Sequence, residues 1–155
     1  MDDSLIVPIV KVDVERRLFG GWAYVAHARD GSQVVDHSGD VVDTPEAWTA
    51  LSDAFIDYAL EGRSGDLNHE EFGATDLVEL MIFDGEKRAA LGLAEGSTPD
   101  GVYVSFKART SPAGRRLWEQ VKSGAIRSLS IVGDGWREAL DGEEEEDENA
   151  EIVAP

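Results

Sequence analysis

Apolar positions along this chain either alternate with polar ones or recur at helical spacing, and the two periods divide it into short strands and two helices. Ile6, Val7, Ile9, Val10, Val12 and Val14 form the first apolar run. Pro8 confines the first half of that run to an edge or lead-in strand, because proline has no N–H for a ladder. Gly20 and Gly21 mark a turn, after which Trp22 to Ala26 reads as a buried strand. Asp30-Gly31 is a strong hairpin dipeptide and predicts an antiparallel return strand near Gln33 to Val35. Leu77 to Phe83 is apolar except for Glu79 and is closed by a turn at Asp84-Gly85. A further strand is read around Arg88 to Leu93. After the turn at Thr98 to Gly101, the apolar positions Val102, Val104, Phe106 and Ala108 alternate with Tyr103, Ser105 and Lys107, the pattern of a half-buried strand.

Two segments carry helix punctuation instead. Asp43 and Thr44 precede Pro45, a capping pair followed by proline at the first helical position; Trp48, Leu51, Phe55 and Tyr58 then recur on one face until Gly62. Ser111-Pro112 opens the second helix, Leu117, Trp118 and Val121 face its core, and Gly124 closes it. A strand order with two inserted helices and short turns predicts a β-rich α+β fold, a closed or nearly closed antiparallel β-barrel with flanking helices.

The helix ending at Gly124 feeds a run, Ser128 to Val132, in which Ser128 and Ser130 share one strand face and Leu129 and Ile131 the other. Ser130 is thus expected on a stiff element, followed by Gly133 and Gly135, which let a substrate backbone approach closely. Serines are also common in strands, so this run alone does not assign catalysis.

Composition narrows the chemistry. The 155 residues are enough for one domain with a real core, expected over 1–140, with 141–155 as an acidic tail or linker. Cysteine is absent, which removes disulfides and thiolate metal sites and leaves Ser, Thr or Lys for covalent catalysis. The formal net charge of −18 argues against nucleic acid, whose phosphates are bound by Lys and Arg. Part of that charge is concentrated in Asp141 to Glu151, a self-repelling block that reads as a solvated linker or, in a minority reading, as a contact for a basic surface. The rest is spread over the body and would suit either a high-salt cytoplasm or a high-GC genome. No apolar segment approaches membrane-spanning length and the N-terminus lacks a signal-peptide pattern, so the expectation is a soluble cytoplasmic protein without membrane contact.

The three histidines, His27 at a strand end, His37 in an acidic turn and His69 at a loop-to-strand transition, each qualify as a general base. Spacing does not choose among them. Asp36, His37 and Asp40 are all metal-ligand types, yet three such residues in a turn are more often caps and turn-formers, so no metal or cofactor is expected.

Four pieces in order give the chain a resemblance. Gly21 to Val25 (GWAYV) resembles the opening GWA strand of the XkdF-like phage serine proteases, relatives of the prohead maturation proteases that share the herpesvirus assemblin fold. Asp36 to Asp40 (DHSGD) followed by a helix resembles that family's D-x-x-G-D segment. Asn68-His69 resembles its catalytic histidine position, and Gly124 through Ser130, Ile131 and Gly133 its G-x-x-x-x-x-S-I-x-G motif. The match covers Phe19 to Glu138.

The resemblance implies Ser130 as nucleophile and His69 as its base, and the chemistry is consistent with this because a serine hydroxyl attacks poorly near neutral pH without an adjacent base. The third member departs from the family pattern: Glu138, Asp40 and Glu70 all qualify, as does a dyad without one. Backbone N–H groups around Ser130 to Gly133 are the implied oxyanion donors. The implied function is a virion-assembly endopeptidase acting inside the procapsid in the host cytoplasm. Its substrates would be capsid and scaffold proteins and the enzyme itself, and a homo-oligomer is compatible with that role. Competing readings are an inactive capsid-assembly or scaffold-associated protein of the same fold and a small metal-dependent hydrolase built on Asp36, His37 and Asp40.

Overall fold

Strand-forming sequence is gathered at the two ends of the chain and in its middle, and the helices fall between. In the computed structural model, residues 4–36, 39–60 and 74–132 are described. The order is β1 (Ser4–Pro8), β2 (Lys11–Asp13), β3 (Leu18–His27), α1 (Pro45–Leu60), β4 (Thr75–Phe83), α2 (Gly85–Ala90), β5 (Asp100–Ala108), α3 (Pro112–Ser123) and β6 (Ser128–Val132).

Four strands form one antiparallel sheet in the order β2-β3-β5-β4, and β1 and β6 pair antiparallel with each other. The chain passes between these two pairings at Ile9 and Val10, whose amides donate to the carbonyls of Arg127 and Gly20 at 2.9 Å. Pro8 ends β1 at that corner, as its missing N–H requires. β1 also lies against β3.

The sheet is open: among the described residues β4 pairs only with β5 and β6 only with β1, so the expected barrel is not closed. One physical reason lies at Arg88 to Leu93, which is not the strand its sequence implied. Asp84 caps a helix there, its carboxylate accepting the Lys87 amide at 2.9 Å. Ala89 and Ala90 favour that helix and Gly92, at φ +70°, ends it. A third helix therefore stands where a further strand was read. The hairpin at Asp30-Gly31 forms, with Gly31 at φ +85° and the Ala28 amide donating to Ser32, yet the return strand is reduced to a single bridge, His27 to Gln33.

The remaining elements follow their signals. Thr44 accepts the Ala47 amide at 3.0 Å and Ser111 that of Gly114 at 3.1 Å, so both predicted caps are in place. Gly124 closes α3 at φ +78°. One face of the sheet carries the core: Phe19 and Tyr24 of β3 and Val102, Val104, Phe106 and Ala108 of β5 are buried with Leu117, Trp118 and Val121 of α3 and Phe55 of α1. The β3–β5 contact is too close for side chains at two places. A Cβ on Gly20 would meet the Val104 carbonyl oxygen at 2.3 Å, and one on Gly101 the Tyr24 carbonyl oxygen at the same distance.

Candidate functional site

Ser130 is the central residue of β6, opposite Ile6 of β1 in the antiparallel register. The strand is fed directly by α3 through Gly124, and the Ile126 amide donates back to the Gln120 carbonyl at 3.0 Å, tying the connector to the helix. Ser130 is therefore carried by an element held on one side by a strand and at its start by a helix, the kind of rigid support that a positioned nucleophile needs. His69, Glu70 and Glu138 lie outside the described residues, as do His37 and Gly133, so of the implied constellation the described structure contains Ser130 and, among the candidate third members, Asp40.

Asp40 belongs to a tight turn. Its amide donates to Oδ1 of Asp36 at 2.9 Å, the Asp36 amide donates to the Asp40 carbonyl, and Gly39, at φ +86°, lets the chain reverse. This is turn-forming work for the two aspartates. Both lie near the Tyr24 hydroxyl, whose pKa is pushed up to about 12, first by burial and then by the negative charges of Asp36 and Asp40. Among the described residues no group of three metal-ligating side chains exists.

A second constellation sits at the finish of β3 and was only partly legible. At the start of β5, Asp100 Oδ2 lies 3.1 Å from His27 Nδ1. The other carboxylate oxygen lies 2.7 Å from Arg88 Nη1. That guanidinium, only 11% exposed, also donates to the Thr98 and Pro99 carbonyls and the Thr98 hydroxyl at 3.3 Å each. Gly101, by admitting β5 close to β3, sets the pairing that brings Asp100 to His27. When the neutral imidazole carries its proton on Nδ1 and gives it to Asp100, Nε2 keeps a free lone pair, which is the arrangement of an oriented base. Arg88 and Asp100 escaped the sequence reading because the first was assigned to a strand and the second to a turn. The usable signal was the capping Asp84-Gly85 pair, which turns Arg88 inward on a helix.

The face of the sheet opposite the core holds a half-buried aromatic cluster, with Trp22 edge-on to Phe83 at 5.4 Å and to Tyr103 at 5.7 Å between ring centres. Comparison with known proteins adds no relative: no family model, no curated protein and no solved structure matches this chain.

Proposed function

We propose that the protein is a serine endopeptidase of phage prohead maturation, with Ser130 as nucleophile and His69 as general base, acting on capsid and scaffold segments. What supports the reading is the motif resemblance together with the position of Ser130 at the centre of β6, a paired strand fed by α3. In the chemistry proposed, the imidazole takes the Ser130 Oγ proton as that oxygen bonds to the scissile carbonyl carbon. The same proton is then delivered to the leaving amine, and water hydrolyses the acyl-enzyme by the reverse sequence. Glu138 is the proposed third member, with Asp40 and Glu70 as alternatives.

One observation favours a second assignment of the base. His27 has an acid partner, Asp100, that is itself anchored by Arg88, and an oriented imidazole is what a general base needs. His69→Ala and His27→Ala, compared for rate and for folding, separate the two.

The test is intact mass over time for the wild type and Ser130→Ala, each with its capsid and scaffold partners, at low and high salt. Discrete fragments from the wild type and at least a thousandfold slower cutting by the variant are expected, on the scale of losing a triad member. If neither protein cuts while both remain folded, the catalytic reading fails. The chain is then an assembly protein that keeps the fold without the chemistry.

A further inference from the structure

The charges of this protein are segregated. Twelve of its fourteen Lys and Arg residues fall among the described residues, and half of those twelve gather at one end. They are Arg16 and Arg17 in the β2–β3 turn, Lys107 and Arg109 at the finish of β5, and Arg115 and Lys122 on α3. The contacts show that this is one surface. Arg17 packs over the Trp118 ring at 5.7 Å and donates from Nη2 to the Arg109 carbonyl, while Lys122 lies 5.9 Å from the same ring. Arg115, Trp118 and Lys122 follow one another at helical spacing, so the two cations flank the tryptophan along one stripe. Lys107 is opposite Leu18 and next in register to Asp76.

Four acids stand among these six cations, Glu15 in the β2–β3 turn and three in ion pairs. Asp13 is held by Arg16, Asp76 by Arg109 and Glu119 by Lys122. Arg17, Lys107 and Arg115 make no ion pair among the described residues. Arg17 is held at φ +58°, a backbone conformation unusual for a long side chain, and its Nε is buried without a hydrogen-bond partner. The opposite end is acidic, with Asp30, Asp36, Asp40, Asp84, Glu86 and Asp100 around the finish of β3 and the start of β5.

We propose that the basic end is the docking surface for the chain's own acidic segment, 141–151, in which eight of eleven residues are Asp or Glu. Two points favour this occupant. First, its charge is complementary: eight carboxylates meet a surface on which Arg17, Lys107 and Arg115 make no ion pair among the described residues. Second, the reach suffices: residues 133–151 span up to about 63 Å when extended, against about 33 Å for the ten-residue β3, and a segment attached by a short linker is present at millimolar effective concentration. A nucleic acid phosphate backbone has complementary charge too, but it would have to approach a chain of net charge −18 from solution.

The full chain itself supplies the readout, since its four lysines divide between the two ends: Lys107 and Lys122 at the basic end, Lys11 beside it, and exposed Lys87 at the acidic one. Zero-length carbodiimide cross-linking at about 0.01 M salt, followed by peptide mass spectrometry of the monomer, should join carboxylates of 141–151 to Lys107 and Lys122 at least tenfold more often than to Lys87. The preference should vanish near 1 M salt, where the screening length falls from about 30 Å to about 3 Å. Arg115→Glu, exposed and away from the core, should lower the Lys122 yield severalfold and leave Lys87 unchanged. Equal yields at Lys87 and Lys122, or yields indifferent to salt, would overturn the proposal. So would cross-links found only in a covalent dimer, which assign the surface to a second copy.

Discussion

Tyr24 carries the heaviest electrostatic load of any single described side chain. Its ring is in the core at 7% exposure, and its hydroxyl faces the turn built by Asp36 and Asp40. Burial penalises the phenolate, and the two carboxylates repel it further, so the folded protein holds the proton to about pH 12 while the unfolded chain releases it near the ordinary value of 10.0. The sign follows from the proton count: between those values the native state binds one more proton than the unfolded state, so stability falls as pH rises through that window. Tyr24→Phe should flatten the decline between pH 10 and 12, read as unfolding free energy from urea titrations at several pH values, with tyrosinate absorbance reporting the ionisation. Tyr103 is raised in the same direction, by burial and then Glu79, so a shallower slope remains in the variant. At the opposite end of the residue scale, the carboxyls of Asp13 and Asp76 are held below the usual range by hydrogen bonds from Arg16 and Arg109. In both pairs the guanidinium is open to solvent, so neither matters much for stability.

Helix α3 decides much of the architecture at the scale of elements, because it covers β5 and then delivers the chain to β6. Its first turn crosses the backbone of the 109–111 bend so closely that a Cβ at position 114 would lie 2.1 Å from the Arg109 carbonyl oxygen and 2.9 Å from that of Ala74. Helix propensity argues that Gly114→Ala should stabilise by about 1 kcal/mol. The two backbone oxygens cannot yield as a flexible side chain would, and overpacking of this kind costs about 1–3 kcal/mol. Net destabilisation of about 1–2 kcal/mol is therefore expected, measured as a lower urea midpoint at unchanged slope, and stabilisation would show that the bend relaxes. What could be read from sequence at this scale follows the same division. Caps at Thr44 and Ser111, the αL glycine at 124 and the alternation of Val102 to Ala108 are local signals, and each produced its element. Arg88 to Leu93 misled because Leu91 and Leu93 look like strand positions yet are exposed, and the deciding residue, Asp84, had been read as a turn. Sheet closure is a property of pairs far apart in sequence, so no run of residues carried it. Ser130 was legible as a strand residue, whereas the His27–Asp100–Arg88 network depends on the β3–β5 register and had no sequence signature beyond a histidine at a strand end.

The whole molecule has one electrostatic problem: 32 carboxylates confront 14 cations, and the carboxylates at the finish of β3 crowd one end. Self-repulsion of this size disfavours the compact state relative to an unfolded chain that can spread its charges. Salt relieves it over a range set by the screening length, about 30 Å at 0.01 M and about 8 Å at physiological strength, which for a domain of this size is the difference between repulsion across the molecule and repulsion between neighbours only. The ion pairs that salt would weaken are exposed and contribute little, Arg16–Asp13, Lys122–Glu119 and Arg109–Asp76 among them. The Arg88–Asp100 pair, with its guanidinium almost wholly enclosed, is screened least. Relief should therefore outweigh loss. The thermal midpoint is expected to rise by several degrees between about 0.01 M and 0.5 M NaCl, at about 3 °C per kcal/mol for a chain of this length, and most of the rise should come below about 0.15 M. Sodium sulfate at equal ionic strength separates screening from general salting-out: equal rises assign the effect to charge, whereas a much larger rise in sulfate assigns it to apolar burial. A midpoint that falls with added NaCl would mean that attraction between the two poles, rather than repulsion within the acidic one, dominates the electrostatics of the fold.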